Sequence, residues 1–322
     1  MASRRSSLRS LACLARLACL ALAGTASGCA IGGMAGRNAA TLFSSPAPVP
    51  DRITRPQRDD ARLAVLWVGH ATALVQLDDK FVLTDPLLTD TVGQLTHRLQ
   101  EPGIDPANLP PLDAVIVSHM HFDHLSPGSL EMIEAKVRRL FVPQGGLVYV
   151  PNFAFDAREL PTWTSFEEGG LRITAVPVKH VGYRYGVDAA WMTRSFTGYV
   201  LEYHGLVVYF GGDTAYDGAR FRATAARFPH IDLALLPIAP IHPREMMESL
   251  HEDPGEAVQA FLDLGARTMV PIHFDTLING FDQPGEARAA LERAMKERGL
   301  GEDRVKILPI GGQAVVVPRQ SR

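Results

Sequence analysis

The sequence predicts an α/β protein in which two β-sheets lie between helical layers, in one domain that begins near residue 61. Short β-rich segments occur in two blocks, at 63–84 and 171–210. After the second block, helical and strand-like patterns alternate, and no internal repeat is found. Two strand-rich halves with helices between them favour two sheets sandwiched between helices. Periodicity alone supports no more than an α/β or α+β assignment.

The first block predicts an antiparallel meander. Its strands are short β-rich runs separated by turn residues, at 63–68, 73–77 and 80–84. A buried strand at 114–117 follows and leads directly into His119. Ser126 and Pro127 then predict the capped start of a helix, because serine favours the N-cap and proline the first helical position.

The remainder of the chain is predicted to alternate strands and helices. Strand patterns occur at 171–178, 198–203, 206–210, 233–238 and 268–272. His204 and Gly205 predict a hairpin turn between the second and third of these strands. Helical patterns occur at 219–228, 254–264 and 284–298.

Composition limits the possible classes of protein and of metal site. The chain has 322 residues, of which 46% are hydrophobic and 21% charged, so it can bury a core and is not disordered. The three cysteines, Cys13, Cys19 and Cys29, all lie at the N-terminus. A thiolate cluster or an internal disulfide downstream is therefore excluded, and any metal site there must use histidines and carboxylates.

The N-terminus predicts export. Arginines precede an apolar segment at 17–26, which is far shorter than the roughly 20 residues of a membrane-spanning helix. Residues 1–28 are therefore predicted to be a signal, and the Gly-, Ser- and Pro-rich segment 29–60 a flexible tether. The run ASGC at 26–29 resembles a bacterial lipobox, and SRRSSLR at 3–9 resembles a twin-arginine signal.

These resemblances imply a lipoprotein of the cell envelope, on the periplasmic side and anchored to the membrane through a lipidated Cys29. An ordinary secretory signal with an incidental cysteine is the alternative. Twin-arginine and general secretory export both remain open, as does the choice between inner and outer membrane.

Charge disfavours nucleic acid as a partner. Four of the 32 basic residues and no acidic residue precede Cys29, which leaves 28 basic against 35 acidic residues after it. No stripe of lysine and arginine is present that would neutralise a phosphate backbone.

Three imidazoles and a carboxylate occur within six residues at 119–124, in the run HMHFDH. A loop leaving the edge of a sheet can turn such side chains toward one centre. Imidazole and carboxylate suit zinc and other divalent transition metals. One tetrahedral ion needs three protein ligands and an open position, so four candidates here, with others elsewhere, predict two metals.

This motif and four others resemble, in chain order, those of the metallo-β-lactamase superfamily. The others contain Asp85, His180, Asp213 and His273, each directly after a strand signal. The resemblance covers nearly everything from Leu63 to Met295. It implies the αββα fold of that superfamily, with two mixed sheets between helix layers, for residues 61–322. It also implies a metal-dependent hydrolase.

The ligand assignment follows from the same resemblance. One ion is expected on His119, His121 and His180. The second is expected on Asp123, His124 and His273. Asp213 and a hydroxide would bridge two zinc ions, and the hydroxide would attack the substrate; iron or manganese also suits these ligands.

Four residues are assigned roles around the metals. Asp123 is expected to take or give a proton, and Asp85 to accept the N–H of a ligand imidazole, although Asp85 before a proline also suits a simple turn. His251 matches a family position that faces the substrate phosphate and is a candidate for substrate binding or proton transfer; its alternative is a place at a helix start. His70 is a candidate to line or support the cleft.

Two branches of the superfamily are most similar. The branch of N-acyl-phosphatidylethanolamine phospholipase D enzymes shares LWVGHAT at 66–72, LTDP at 83–86, GGDTAY at 211–216 and HEDPGEA at 251–257. The branch of ascorbate-phosphate lactonase-like proteins shares a more general version of these motifs. Antibiotic hydrolysis is disfavoured, because β-lactamases with a cysteine ligand have a thiol at this metal site and none is available here.

The first branch implies a phosphodiesterase of the phospholipase D type that acts on N-acyl phosphatidylethanolamine-like lipids. A lactone or a small phosphorylated metabolite is the alternative substrate, and a noncatalytic envelope lipoprotein is the remote alternative. Trp163, Trp191 and Phe281 are candidates for an acyl-chain surface or for ordinary core. The expected partners are the substrate and a membrane, and the oligomeric state stays open.

Overall fold

The structure is a computed structural model that describes residues 33, 36–38, 41–93 and 96–320. Its strands are β1 (Ala61–Gly69), β2 (Thr72–Leu77), β3 (Lys80–Thr84), β4 (Thr91–Val92), β5 (Thr96–His97), β6 (Ala114–Ile116), β7 (Arg139–Val142), β8 (Asp156–Glu159), β9 (Ser165–Glu168), β10 (Leu171–Val176), β11 (Gly198–Tyr203), β12 (Leu206–Phe210), β13 (Leu233–Pro237), β14 (Thr268–Ile272) and β15 (Gln313–Pro318). Its α-helices include α1 (Pro127–Ile133), α2 (Gly218–Arg227), α3 (Arg244–Met247), α4 (Pro254–Leu264) and α5 (Glu286–Glu297). Short 3₁₀ helices span Pro106–Asn108, Glu134–Lys136, Gly146–Tyr149 and Val187–Ala190.

Most strands belong to two mixed sheets. The first has the order β15-β1-β2-β3-β6-β7-β8, and the second has the order β14-β13-β12-β11-β10-β9. Neighbours run parallel from β3 to β8 in the first sheet and from β12 to β14 in the second. The other neighbours in both sheets are antiparallel. The predicted architecture of two mixed sheets is confirmed.

Strand β1 is buried on both faces. Leu63, Val65 and Trp67 lie in a core that includes the strands of the second sheet. Leu66 and Val68 point the opposite way and pack in a second core that includes residues of α1. Because successive strand residues face opposite sides, one face of the first sheet packs on the second sheet and the other is covered by a helix.

Helix α4 covers the outer face of the second sheet and contacts β13, α2 and α5. Asp253 and Glu256 form a reciprocal capping box at its start, which satisfies two backbone N–H groups that a helix leaves unpaired. Gly265 ends it in the left-handed region, with φ of 62°. These two signals fix both ends of the helix.

The predicted strands and helices are present with small shifts of their ends. The strand predicted at 171–178 ends at Val176, and the helix predicted at 284–298 is α5. Strands β4, β5, β7, β8, β9 and β15 and helix α3 were not predicted from the sequence. Strands β8 and β9 are sheet edges that alternate exposed and half-buried residues, and each contains one apolar residue, Ala157 or Phe166, so their sequences carry little apolar signal.

The predicted signal, 1–28, and Cys29 lie outside the described residues. Part of the predicted tether is packed on the domain: the N–H of Ala47 donates to the carbonyl of Leu99, and Val49 is buried in the main core. Within the described part of the chain, no helix has the length and apolar character needed to cross a membrane.

Candidate metal centre

The predicted site residues follow strands that run toward one end of the sandwich. In the first sheet, pairing gives β1, β3 and β6 the same direction, and in the second sheet it does so for β10, β12 and β14. Shortly after the carboxyl ends of these six strands come His70, Asp85, His119, His180, Asp213 and His273. Loops that leave one end of a sandwich converge, and this brings residues distant in sequence together.

Three imidazoles form a first cluster. His119, His121 and His180 each have a ring nitrogen within 4.8 Å of the others. Nε2 of His119 lies 2.8 Å from Nδ1 of His121, and the rings of His119 and His180 meet edge to face with centroids 4.5 Å apart. The structure thus brings together the three residues expected for one metal.

A second cluster contains His70, Asp123, His124 and His273, whose ligand atoms also lie within 4.8 Å of one another. Oδ2 of Asp123 is 3.5 Å from Nε2 of His124 and 3.9 Å from Nε2 of His273. Nε2 of His70 is 2.9 Å from the same oxygen. The residues expected for the second metal are therefore close together, and His70 lies among them.

Asp213 lies between the two clusters. Its Oδ2 is 3.2 Å from Nε2 of His124 and 3.9 Å from Nε2 of both His119 and His180. Its Oδ1 is 3.0 Å from Nε2 of His273. One buried carboxylate therefore reaches imidazoles of both clusters, as a bridging ligand must.

Hydrogen bonds on the far side of the rings orient the imidazoles. Oδ2 of Asp85 lies 2.6 Å from Nδ1 of His124 and accepts from the hydroxyl of Ser118, also at 2.6 Å. The Ser118 hydroxyl is 2.9 Å from Nδ1 of His119. Asp85 therefore has the geometry of the predicted imidazole acceptor.

Two of the candidate ligand imidazoles are oriented by backbone carbonyls. Nδ1 of His180 lies 2.8 Å from the carbonyl oxygen of Leu250, and Nδ1 of His273 lies 2.9 Å from that of Ala239. A carbonyl oxygen can only accept, so each ring carries its proton on Nδ1 and keeps a lone pair on Nε2. Each Nε2 lies 3.9 Å or less from the carboxylate of Asp213.

The backbone is unusual at this end of the sandwich. His70, Asp85 and His273 have φ of 54°, 32° and 67°, in the left-handed region that side chains rarely adopt. Such conformations persist where the surroundings impose them and often occur at functional sites. Gly212 has φ of 58°, and a Cβ on it would lie 2.2 Å from Cβ of Ser118. A glycine there lets Asp213 approach the loop that carries His119.

The electrostatics favour neutral imidazoles in the first cluster. Burial lowers the pKa of His119 and His180 well below 6.5 and also lowers the pKa of His121. Burial alone would lower the pKa of His124 as well, but the carboxylates of Asp213, Asp123 and Asp85 outweigh it and raise that pKa. In the metal-free protein, His124 therefore carries the positive charge that balances the carboxylates around it.

The residues present fit a divalent transition metal. Buried atoms without a hydrogen-bond partner include Nε2 of His121, His124, His180 and His273, Oδ1 of Asp213 and Nδ1 of His251. Buried polar atoms normally have hydrogen-bond partners. These unpaired atoms belong to residues of the two clusters, to Asp213 between them and to the neighbouring His251. Imidazole nitrogens and carboxylate oxygens are the donors that zinc, iron and manganese accept.

His251 lies at the same site. Its Nδ1 is 3.7 Å from Oδ2 of Asp213, and its ring is 5.3 Å from that of His180 between centroids. Burial lowers the pKa of His251 to about 4. His251 also precedes Asp253, the N-cap of α4. His251 therefore lies both at the start of α4 and at the candidate site, so the two interpretations of this residue do not exclude each other.

Sequence reasoning missed several groups of the site. Ser118 directly precedes the HMHFDH run, and this hydroxyl beside the motif is a weak signal. The backbone carbonyls of Leu250 and Ala239 could not be identified from the sequence, because every residue has a backbone carbonyl. Glu252, next to His251, is fully buried, both of its carboxylate oxygens lack a partner, and burial raises its pKa well above 4.5.

Comparisons with known proteins agree with this fold and site. Residues 80–274 match the family model described as "Beta-lactamase superfamily domain". An uncharacterized protein of Mycobacterium tuberculosis is 35% identical over 246 residues, which are 71% of this chain and 63% of that protein. The chain therefore spans less than two thirds of that relative.

Two further relatives are named hydrolases. The N-acyl-phosphatidylethanolamine-hydrolyzing phospholipase D 1 of Caenorhabditis elegans is 30% identical over 251 residues, covering 73% of this chain and 70% of that protein. The metallo hydrolase Igni18 of Ignicoccus hospitalis is similar in structure, with a TM-score of 0.57, 20% identity, and coverage of 78% of this chain and 97% of its own. The chain therefore belongs to the beta-lactamase superfamily and has the fold of its metal-dependent hydrolases.

Proposed function

We propose that this protein is a dinuclear zinc-dependent phosphodiesterase that acts on N-acyl phosphatidylethanolamine-like lipids as a phospholipase D. The observation that carries the proposal is the carboxylate of Asp213, which lies 3.0 to 3.9 Å from imidazole nitrogens of both clusters. A shared carboxylate suits a pair of cations. The nematode relative, which is named for N-acyl-phosphatidylethanolamine hydrolysis, supports the choice of substrate.

One cation would be held by His119, His121 and His180. The other would be held by Asp123, His124 and His273. Asp213 would be a ligand to both cations. When bound, the cations would supply Lewis acidity and lower the pKa of water. In the reaction, the oxygen of water joins phosphorus, and the bond from phosphorus to the amide alcohol breaks. The products are a phosphatidic acid and an amide alcohol, which takes up the proton.

Residues beside the ligands would serve the substrate. Nδ1 of His251 is buried without a hydrogen-bond partner, next to Asp213, and is therefore free to bind a phosphate oxygen or to pass a proton to the leaving alcohol. Oδ2 of Asp123, with Nε2 of His70 at 2.9 Å, is the second position at which a proton would move. Asp85 and the two carbonyls keep the imidazoles in orientation.

The test combines metal content with turnover in the protein and its Asp213→Ala variant. Elemental analysis is run beside hydrolysis of N-acyl phosphatidylethanolamine in vesicles, of bis(p-nitrophenyl) phosphate and of a lactone. Asp105→Ala is the matched control, because Asp105 caps a short 3₁₀ helix. We expect two zinc ions per chain and phosphatidic acid release in the protein and the control, and loss of both in Asp213→Ala.

The outcomes separate the alternatives. Two metals with ready lactone opening and no lipid hydrolysis would move the assignment to a lactone or a small phosphorylated metabolite. One metal or none, without turnover of any substrate, would favour a noncatalytic envelope lipoprotein.

We also propose that the protein is held in the cell envelope, on the periplasmic side, through a lipidated Cys29. The support is the arginine-rich, apolar N-terminus that ends in the ASGC run. In the native host, Cys29→Ala is expected to abolish incorporation of labelled palmitate, whereas the Cys19→Ala control keeps it. Labelling that persists in Cys29→Ala would contradict the proposal.

A further inference from the structure

Four large apolar side chains form an exposed group, called here the rim patch. Val148, Tyr185, Val187 and Trp191 are 72%, 60%, 79% and 64% exposed. The last three lie between β10 and β11, and the ring of Tyr185 is 5.7 Å from that of Tyr149, next to Val148. Apolar side chains scattered singly on a surface need no explanation, but a contiguous exposed group marks an interaction surface.

The rim patch adjoins the metal centre. Tyr183 places its ring 5.1 Å from the ring of His121. Arg184 donates from Nη1 to the carbonyls of Met120 and Leu125, at 2.9 Å each, and lies 4.2 Å from the ring centroid of Phe122. The segment with the rim patch therefore contacts the loop that supplies four candidate ligands.

Hydrogen bonds hold the rim patch in one conformation. The carboxylate of Asp188 is buried and accepts from the hydroxyl of Tyr149 at 2.6 Å. It also accepts from the backbone N–H groups of Arg184 at 2.7 Å and Tyr185 at 2.8 Å. Exposed apolar side chains on such an ordered segment lose little conformational entropy when they dock.

The segment that carries three of the four rim-patch residues is basic, whereas the carboxylate of Glu159 lies near Val148, accepting from the N–H of Leu147. Residues 177–197 contain Lys179, Arg184 and Arg194 and one acidic residue, Asp188, which is buried. The whole chain, in contrast, has a net charge of −3. Two copies of this surface facing each other would bring like charges together, whereas an anionic bilayer complements them. Tryptophan and tyrosine are also the side chains that favour the boundary between lipid and water.

We infer that the rim patch docks on an anionic lipid bilayer and holds the metal centre at its surface. Trp191 and Val187 enter the boundary between headgroups and acyl chains, Tyr185 and Val148 flank them, and the exposed Arg194 faces lipid phosphates. Only the functional advantage of docking rests on the proposed function, because a metal centre held at the bilayer surface can receive a lipid substrate directly. Docking itself requires no hydrolysis.

Trp191 provides a direct test, because the chain has three tryptophans and Trp67 is buried in the core. The probe is zinc-loaded full chain with Trp163→Phe, mixed with vesicles of phosphatidylglycerol and brominated phosphatidylcholine. Trp191 emission is expected to shift to shorter wavelength and to be quenched. A second sample, in which Trp191→Phe replaces Trp163→Phe, should show neither change.

A pair of matched variants adds a binding and an activity readout. Val187→Ser should weaken vesicle binding by about tenfold, the loss expected when one buried apolar side chain is removed. Leu262→Ser, at an exposed apolar position on α4, should leave binding unchanged. Val187→Ser should lower turnover of vesicle lipid by a similar factor and leave turnover of bis(p-nitrophenyl) phosphate unchanged.

Failure of this inference is distinct from failure of the proposed function. Trp191 that stays unquenched in anionic vesicles, while lipid hydrolysis proceeds, would overturn docking alone. Quenching without hydrolysis of any phosphodiester would support docking and refute the proposed function. A dimer in solution that Val187→Ser dissociates and that vesicles do not disrupt would overturn the inference, because the rim patch would then join two copies of the chain.

Discussion

Oδ2 of Asp85 lies 2.6 Å from Nδ1 of His124, and both side chains are completely buried. Asp85 follows β3 and His124 lies in the loop after β6, and these two strands pair in parallel. The sheet therefore sets the relation between a candidate ligand and the carboxylate that orients it. The same oxygen accepts from Ser118, which links Asp85 to His119 as well.

Replacing Asp85 by asparagine should weaken metal binding. In Asp85→Asn, the amide N–H₂ at the Oδ2 position would oppose the proton on Nδ1 of His124, so the ring would lose its orientation. Loss of such a partner typically costs 10- to 100-fold in metal affinity, and we expect that range. Chelator competition measures it, and Asp113→Asn, whose carboxylate accepts from the N–H of Phe81, is the control. Equal affinities in the two variants would show that Asp85 only forms a turn.

Metal binding should release a proton at pH 7. The neighbouring carboxylates outweigh burial and raise the pKa of His124, so the metal-free ring is charged, whereas a ligand must be neutral. Affinity should therefore rise with pH until His124 loses its proton without metal. Calorimetry in buffers of different ionisation enthalpy measures the released protons. Binding heats that are independent of the buffer would contradict this charge assignment.

His251→Ala should lower turnover and leave the metal content unchanged. Its Nδ1 lies 3.7 Å from Asp213. Within the described residues, however, this nitrogen has no hydrogen-bond partner, whereas Nδ1 of His180 and of His273 each lies against a backbone carbonyl. Loss of a proton-transfer group typically lowers the rate by 10² to 10⁴, and a fall of this order is expected here. His180→Ala is the contrast and should lose metal. Metal loss in His251→Ala would instead make His251 a ligand.

Removing the metal should lower the thermal stability of the protein. Chelation leaves buried ring nitrogens and a carboxylate oxygen of the site without partners. An ion present at a thousandfold excess over its dissociation constant stabilises the folded state by about 4 kcal/mol. The melting temperature should therefore fall on addition of a chelator and recover with zinc, and the shift should be smaller in Asp213→Ala. An unchanged melting temperature would indicate that the purified protein holds no metal.

Asp188 should stabilise the fold in a pH-dependent manner. Burial alone would raise its pKa, but hydrogen bonds from Tyr149 and two backbone N–H groups outweigh this and lower the pKa to about 2. Because this pKa lies below that of an unfolded chain, the stabilisation is fully present above about pH 4 and is lost as the pH falls through 2. At pH 7, Asp188→Asn should lower the free energy of unfolding by about 2 kcal/mol. Urea unfolding of the metal-free proteins at several pH values tests this, and the difference should disappear near pH 2.

The sequence by itself determined the fold class and the chemical nature of the site. A β-rich run at 63–68, followed by turn residues, predicted β1, because β-rich runs between turn residues are typical of strands. Ser126 and Pro127 predicted the start of α1, since capping depends on neighbours in the chain. The run at 119–124 indicated a metal site, because imidazoles and a carboxylate at that density seldom serve structure alone.

Only the tertiary structure decided which groups meet. The contact of His70 with Asp123, the carbonyl partners of His180 and His273, and the buried, unpaired Glu252 depend on loops that converge from six strands. The exposure of Trp191 could not be predicted either, because a tryptophan at this position in the sequence suits either the core or the surface. Periodicity and helix capping depend on neighbouring residues and can be predicted from the sequence. The position of a loop and the partner of a backbone carbonyl depend on packing between segments distant in the chain.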